Sequence, residues 1–210
     1  MGNTEIKRID AVTLMKAATL IQNGGIIGCP TDTIYGLATN PFNNESVEEI
    51  FKIKQRDPNQ QIILLVNQNY DIDVLVEEVT PVAKKLMANF WPGPLTLIFK
   101  NKARFSKLVT GKANTVALRV PDNPYTLKLL SFCKIPITST SANKAGAENP
   151  ITAQQVLDTF RGEIPLILDG GRSKFARAST IVDVTTPTPR IVREGAISKE
   201  TISKVLGISF

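Results

Sequence analysis

The sequence predicts an α/β fold, a single domain over residues 1–210 with a sheet of about seven strands and about six helices. Three observations predict it. Helix and strand patterns alternate along the whole chain, with no internal repeat, low-complexity tract or linker between them. The run IILLV (62–66) is apolar on both faces, as a central strand of a helix-covered sheet must be. Helix starts carry capping signals at separate places in the chain.

Taken in order, Asp10 caps a helix running to about Gln22, with Val12, Met15, Ala18 and Leu20 or Ile21 facing inward. Asn23-Gly24-Gly25 stops it, and IIGCP (26–30) is a short buried strand. Ser46 and Glu49 form a capping box opening a helix to about Lys54. After IILLV, Thr80-Pro81 opens a helix with proline at its first position, ending before Trp91-Pro92-Gly93-Pro94. LTLIFK (95–100) and TVALRV (115–120) are strands, 123–132 is a helix, and 135–140 is a strand. Thr152 and Gln155 make a second capping box. PLILDGG, STIVDV and RIVREG are strands, and Ser198 caps a final helix.

Composition bounds the function. Hydrophobic residues make up 42% of 210, enough for a sizeable core. No apolar run is long enough to cross a bilayer, and Met1 to Asp10 has no signal-peptide core. Cys29 and Cys133 are far apart and lack metal spacing, so they read as reduced, buried thiols. These features favour the cytoplasm. The net charge of +6 suits anionic partners such as nucleotide, RNA, phosphate or carboxylate, and equally suits a solvated basic surface. The chain has no histidine, which excludes Ser-His-Asp and Cys-His nucleophiles and every His-based metal site. If the chain is an enzyme, its chemistry rests on positioning and on stabilising negative charge. The P-loop, dinucleotide and kinase motifs are absent.

The candidate segments each have a structural and a functional reading. In CPTDTIYGLATN (29–40), Thr31, Asp32, Thr33 and Tyr35 lie just past a strand, either as a turn or as a ligand-facing loop. Lys54 and Arg56 sit at a helix C-terminus, where cations suit the macrodipole or meet phosphate. Val116, Leu118 and Val120 share one strand face, and Thr115, Ala117 and Arg119 the other. An arginine in so apolar a strand needs a partner, either an internal acid or a ligand anion. In ITSTSAN, Ser141 and Asn143 follow a strand end, as a turn or as a cradle of small donors. Ser179 and Arg193 each lie near a strand terminus.

Together and in this order, PTDTIYGL, the K-x-R of KQR followed by IILLV, WPGPLTLIF, ALRVP, the S-x-N of TSAN, LDGG, STIVD and VREGAI resemble the YrdC-type threonylcarbamoyl-AMP synthase family. The resemblance runs from about residue 10 to 198. It implies an α/β (α+β) domain with a strongly twisted mixed sheet and a basic concave cavity, in the short form without a C-terminal extra domain. It implies a nucleotidyltransferase that joins L-threonine, bicarbonate or CO2 and ATP (with Mg2+) into threonylcarbamoyl-AMP and pyrophosphate. Downstream tRNA threonylcarbamoyl-transfer enzymes are the implied partners. Lys54 and Arg56 match the catalytic K-x-R. With Thr115, Ser141, Asn143, Asn149 and Arg193 they are the implied ATP contacts. Thr31, Arg119, Ser139 and Ser179 are the implied threonine contacts, and no residue is implied as a metal ligand. The chain departs from the family in DPNQQIILLV, where prolines are frequent, and in Ala176 and Ala178, where Gly and Glu are frequent. A sister branch lacks S-x-N, which this chain has. The alternatives are a non-catalytic module binding tRNA or double-stranded RNA, and an adenylate-forming enzyme for another amino acid.

Overall fold

The structure is a computed structural model and describes residues 3–103 and 105–210. Among the described residues ten strands form one mixed sheet: β1 Glu5–Arg8, β2 Ile27–Cys29, β3 Gly36–Ala38, β4 Ile63–Leu65, β5 Leu95–Lys100, β6 Thr115–Arg119, β7 Ile137–Ser141, β8 Leu166–Asp169, β9 Thr180–Asp183 and β10 Arg190–Arg193. Their order is β1-β8-β2-β3-β7-β4-β6-β5-β9-β10. The helices are α1 Ala11–Gln22, α2 Asn44–Lys54, α3 Pro81–Phe90, α4 Lys107–Thr110, α5 Pro124–Cys133, α6 Ala153–Phe160 and α7 Lys199–Leu206, with a 3-10 turn at Ile72–Val74.

The count of about seven strands is therefore low: the eight segments read as strands each hold one, and β1 and β3 are the two the pattern hides. The pattern hides β1 because EIKR is a polar edge strand with one half-buried residue, held parallel to β8. It hides β3 because three residues, one a glycine, are too few to show a period. Gly36 suits the close approach there, since a Cβ would lie 2.8 Å from Ser139 Oγ and 3.2 Å from the Thr140 carbonyl oxygen on the neighbouring β7.

Two helix expectations are corrected. In α1 the buried stripe is Leu14, Ala17, Ala18 and Ile21, while Val12 and Met15 are 73% and 57% exposed. The helix is apolar nearly all round, so periodicity alone cannot choose a face, and packing chooses it. For α2 the cap is Asn43, whose side chain accepts the Ser46 N–H at 3.0 Å, so Ser46 lies inside the first turn rather than before it. The Thr80 cap of α3, the Thr152–Gln155 capping box of α6 and the Ser198 cap of α7 are as expected.

The period of two divides the core. Leu166 and Leu168 of β8 join Leu14, Ile21 and Leu129 in one cluster, while Ile167 joins Val156 and Phe160 in another. One sheet face is thus covered by α1 and α5, and the other by α2, α3, α6 and α7. The α1/α5 cover stops short. Beyond it, Ile63, Ala117, Ile98 and Ile181 on β4, β6, β5 and β9 form the floor of an open cleft.

Candidate functional site

The cleft holds about 380 Å³. Its walls carry Arg56, Arg119 and Arg193, with Thr31, Ser139, Ser141, Asn149 and Ser179, and among the described residues lining it there is no carboxylate. Eight of the eleven residues expected at the site therefore meet at one cavity. Most of these polar groups come from loops and strand ends, while Ser139 stands in the middle of β7, paired with Ile63.

Arg119 ends β6 on the cleft face and is 4% exposed. Its Nε donates to the Gly93 carbonyl at 2.9 Å and one terminal nitrogen to Thr33 Oγ1 at 2.7 Å. The other donates to Asp32 Oδ1 in a buried ion pair. The partner that the sequence left open is thus the internal acid, and the guanidinium still borders the cleft. Asp32 Oδ2 is buried without a partner. Burial pushes the Asp32 carboxyl up, and the Arg119 charge opposes that rise.

Thr31 satisfies both readings of its segment. Its hydroxyl donates to the Ile34 carbonyl at 2.6 Å and accepts the Thr33 and Ile34 N–H groups, closing a turn, and it lines the cleft. On the opposite wall Arg193 donates to the Ser179 carbonyl at 2.9 and 3.1 Å, and Ser179 Oγ is 2.8 Å from Thr96 Oγ1. Gly195 makes this approach possible: a Cβ there would collide with the Ala178 carbonyl.

Arg56 reaches the cleft because the chain turns sharply at Gln55, which adopts the left-handed conformation at φ 54°, ψ 42°. Arg56 donates to Thr140 Oγ1 and the Gln61 carbonyl, both at 2.9 Å, while its buried Nε has no partner. Burial, with Arg193 nearby, lowers its pKa. A glycine has no Cβ to strain at the Gln55 position. Gln55→Gly should therefore raise unfolding stability by about 1 kcal/mol, a gain that denaturant titration would read.

Three expected residues lie behind the wall rather than on it. Lys54 is 2% exposed and donates to the carbonyls of Ser141 and Asn143, and to Asn143 Oδ1 at 3.3 Å. Asn143 spends its amide on the Ala147 carbonyl at 2.6 Å and accepts from Ser141 Oγ at 2.6 Å. Thr115 Oγ1 accepts from Gln61 Nε2 at 3.1 Å. Asn143, a short side chain with a backbone carbonyl close by, satisfies that group first. Gln60 and Gln61 of the cleft lining carry no signal in the sequence that marks them.

Among the described residues no carboxylate pairs with Lys54. Burial, then the Arg56 and Lys144 charges, push its pKa down from 10.5 to about 7, while the surrounding oxygens favour the charged form. Between about 7 and 10.5 the unfolded chain binds more protons at this residue than the folded one, so stability gains as pH rises through that window. The difference in unfolding midpoint between wild type and Lys54→Met should move in favour of wild type from about pH 7 towards pH 9.

Among the described residues no group of three or more His, Cys, Asp or Glu side chains is placed to hold a metal, and no helix is long and apolar enough to cross a membrane. Cys29 and Cys133 are free and buried, and burial pushes each thiol up to about 12.

The fold is a mixed α/β sheet, and among the described residues lining its cleft are three arginines and no acid, a lining whose charge suits an anion. The chain belongs to the Sua5/YciO/YrdC family, whose model, described as "Telomere recombination", matches residues 19–195. It is 35% identical over 201 residues to the threonylcarbamoyl-AMP synthase of Pyrococcus abyssi, covering 96% of this chain and 59% of that protein. It is 34% identical to the threonylcarbamoyl-AMP synthase of Vibrio vulnificus, covering 87% of this chain and 98% of that one. The crystal structure of P. abyssi Sua5 complexed with L-threonine superposes with a TM-score of 0.92 at 34% identity, over 100% of this chain and 62% of the other. The chain thus spans about three-fifths of the length of the Pyrococcus relative.

Proposed function

We propose that the chain forms threonylcarbamoyl-AMP and pyrophosphate from L-threonine, bicarbonate or CO2, and ATP. The observation that carries this reading is the convergence of Arg56, Arg119 and Arg193 on one cleft without a lining carboxylate. The names of the Pyrococcus and Vibrio relatives, and the threonine complex of P. abyssi Sua5, support it. Both reactants are anions, so the site must suppress their repulsion before it can join them.

In this reading Arg119 takes the threonine carboxylate on the N–H groups that Asp32, Thr33 and Gly93 leave free, with Thr31, Ser139 and Ser179 around the side chain and amine. The threonine ammonium gives one proton to solvent, the free amine forms an N–C bond to CO2 (bicarbonate having lost hydroxide), and the nitrogen's second proton goes to solvent as the carbamate anion forms. The carbamate oxygen then attacks the α-phosphorus of ATP, and the bond from phosphorus to the pyrophosphate oxygen breaks. Arg56, Arg193, Ser141 and Asn149 hold phosphate oxygens and stabilise the charge on the leaving group. Lys54, Asn143 and Thr115 act from behind the wall. The cleft supplies arginines and neutral oxygens, which do not make a resident metal site. Mg2+ therefore enters as part of the ATP complex. The product is a reactive mixed anhydride, so a tRNA threonylcarbamoyl-transfer enzyme in the cytoplasm is the fitting acceptor.

Incubation with ATP, bicarbonate and each amino acid in turn, following pyrophosphate, tests this. Release should require threonine. Equal release with any amino acid would reject the substrate. Strongly salt-dependent RNA binding that is indifferent to ATP, with no pyrophosphate, would favour the RNA-binding module instead.

A further inference from the structure

Ser141 lines the cleft, and the loop that follows it is closed by its own hydrogen bonds, Ser141 Oγ to Asn143 Oδ1 and the Asn143 amide to the Ala147 carbonyl, but these do not fix its position against the rest of the fold. It is fastened to the end of α2 by crossed contacts. Lys54 Nζ donates to the Ser141 and Asn143 carbonyls, and the Ala145 N–H donates to the Lys54 carbonyl at 2.9 Å. In the opposite direction, Lys144 Nζ donates to the Ile53 carbonyl at 2.6 Å. It also donates to both Glu163 carboxylate oxygens at 2.8 Å and lies 4.7 Å from the Phe160 ring centroid.

An ordinary surface ion pair has one partner and a mobile stem. The Lys144 ammonium instead donates to three oxygens of two elements, the Ile53 carbonyl of α2 and the Glu163 carboxylate in the segment after α6, with an aromatic face beside it. One of those oxygens is a carbonyl of the last turn of α2, where the macrodipole favours a cation. Lys144 directly follows Asn143, and it is absent from the cleft lining.

We propose that Lys144, with Glu163, is a positioning residue that sets the depth of Ser141 in the cleft by strapping the loop to α2 and α6. It rests on the reading of the cleft as an ATP site. Loss of the strap lets the loop that bears Ser141 shift, which weakens nucleotide binding and leaves the Arg119 wall untouched.

The test compares wild type, Lys144→Met, Lys144→Arg and Glu163→Gln for equilibrium ATP binding, for KM of ATP and of threonine, and for thermal midpoint. Lys144→Met should weaken ATP binding about tenfold, the loss of one charge-assisted contact, and leave KM for threonine within about twofold. Lys144→Arg should recover most of the loss, and Glu163→Gln should show a smaller shift in the same direction. Unchanged ATP binding in Lys144→Met overturns the proposal. So does an equal rise in both KM values that follows a fall in thermal midpoint, because that is a stability effect alone. Intact ATP binding without threonine-dependent turnover in wild type overturns the proposed reaction and leaves the strap readable by binding. Wild type that binds no ATP overturns both.

Discussion

Arg119→Met is expected to lose threonine-dependent pyrophosphate release and to destabilise the fold by about 3–5 kcal/mol, because breaking a buried pair strands its other charge. The stranded charge is Asp32, whose side chain is fully buried and whose Oδ2 already lacks a partner. Denaturant titration reads the stability and pyrophosphate release the activity. The double variant Asp32→Asn/Arg119→Met separates the two effects. It removes the stranded carboxylate charge, so it should regain most of the stability while turnover with threonine stays lost. If the double variant were no more stable than the single one, Asp32 would not be the partner that matters. If the folded double variant still used threonine, Arg119 would not be the carboxylate holder.

Arg56→Ala is expected to reduce kcat/KM by about 10²–10³-fold, the scale of one donor removed from a developing charge. Its protein contacts are two hydrogen bonds from the guanidinium to the neutral oxygens of Thr140 and Gln61, and removing the buried charge also removes its desolvation cost, which offsets part of their loss. The stability cost should therefore stay near 1–2 kcal/mol, at about 1 kcal/mol for each. Steady-state kinetics with ATP and threonine varied separately, beside a thermal melt, checks this. Lys54→Ala should behave differently. Lys54 is almost fully buried and serves three acceptors in the Ser141–Asn143 loop, so its loss should lower both activity and thermal midpoint. Equal melts for the two variants would contradict the placement of Lys54 behind the wall.

The site was legible where residue type is costly in its local setting. Arg119 stands in an apolar strand, and such a charge demands a partner. Ser141 stands at a strand end, where loops carry ligand groups. The choice between partners was not legible. Asp32 is 87 residues from Arg119 in the chain, and the fold brings them together because β6 and the loop after β2 border the same cleft. Nor could Lys54 be told from Arg56. Both belong to one K-x-R, but the left-handed turn at Gln55 sends one side chain into the interior and the other to the cleft.

The same division holds for the fold. Caps at Asp10, Thr80, Thr152 and Ser198 are read locally, because each is a hydrogen bond made within three residues. The strands IILLV and LTLIFK were read from their run of apolar side chains. The inward face of α1 was not, since Leu14 and Met15 are equally apolar and only the packing of α5 beside the helix distinguishes them. By itself, then, the sequence determined the α/β alternation, the family membership and the kind of chemistry open to a chain without histidine, all of which depend on residue types and short-range order. Only the tertiary structure decided which residues face the cleft and which brace it, because that depends on where strands distant in the chain pair and how far α1 and α5 extend over the sheet.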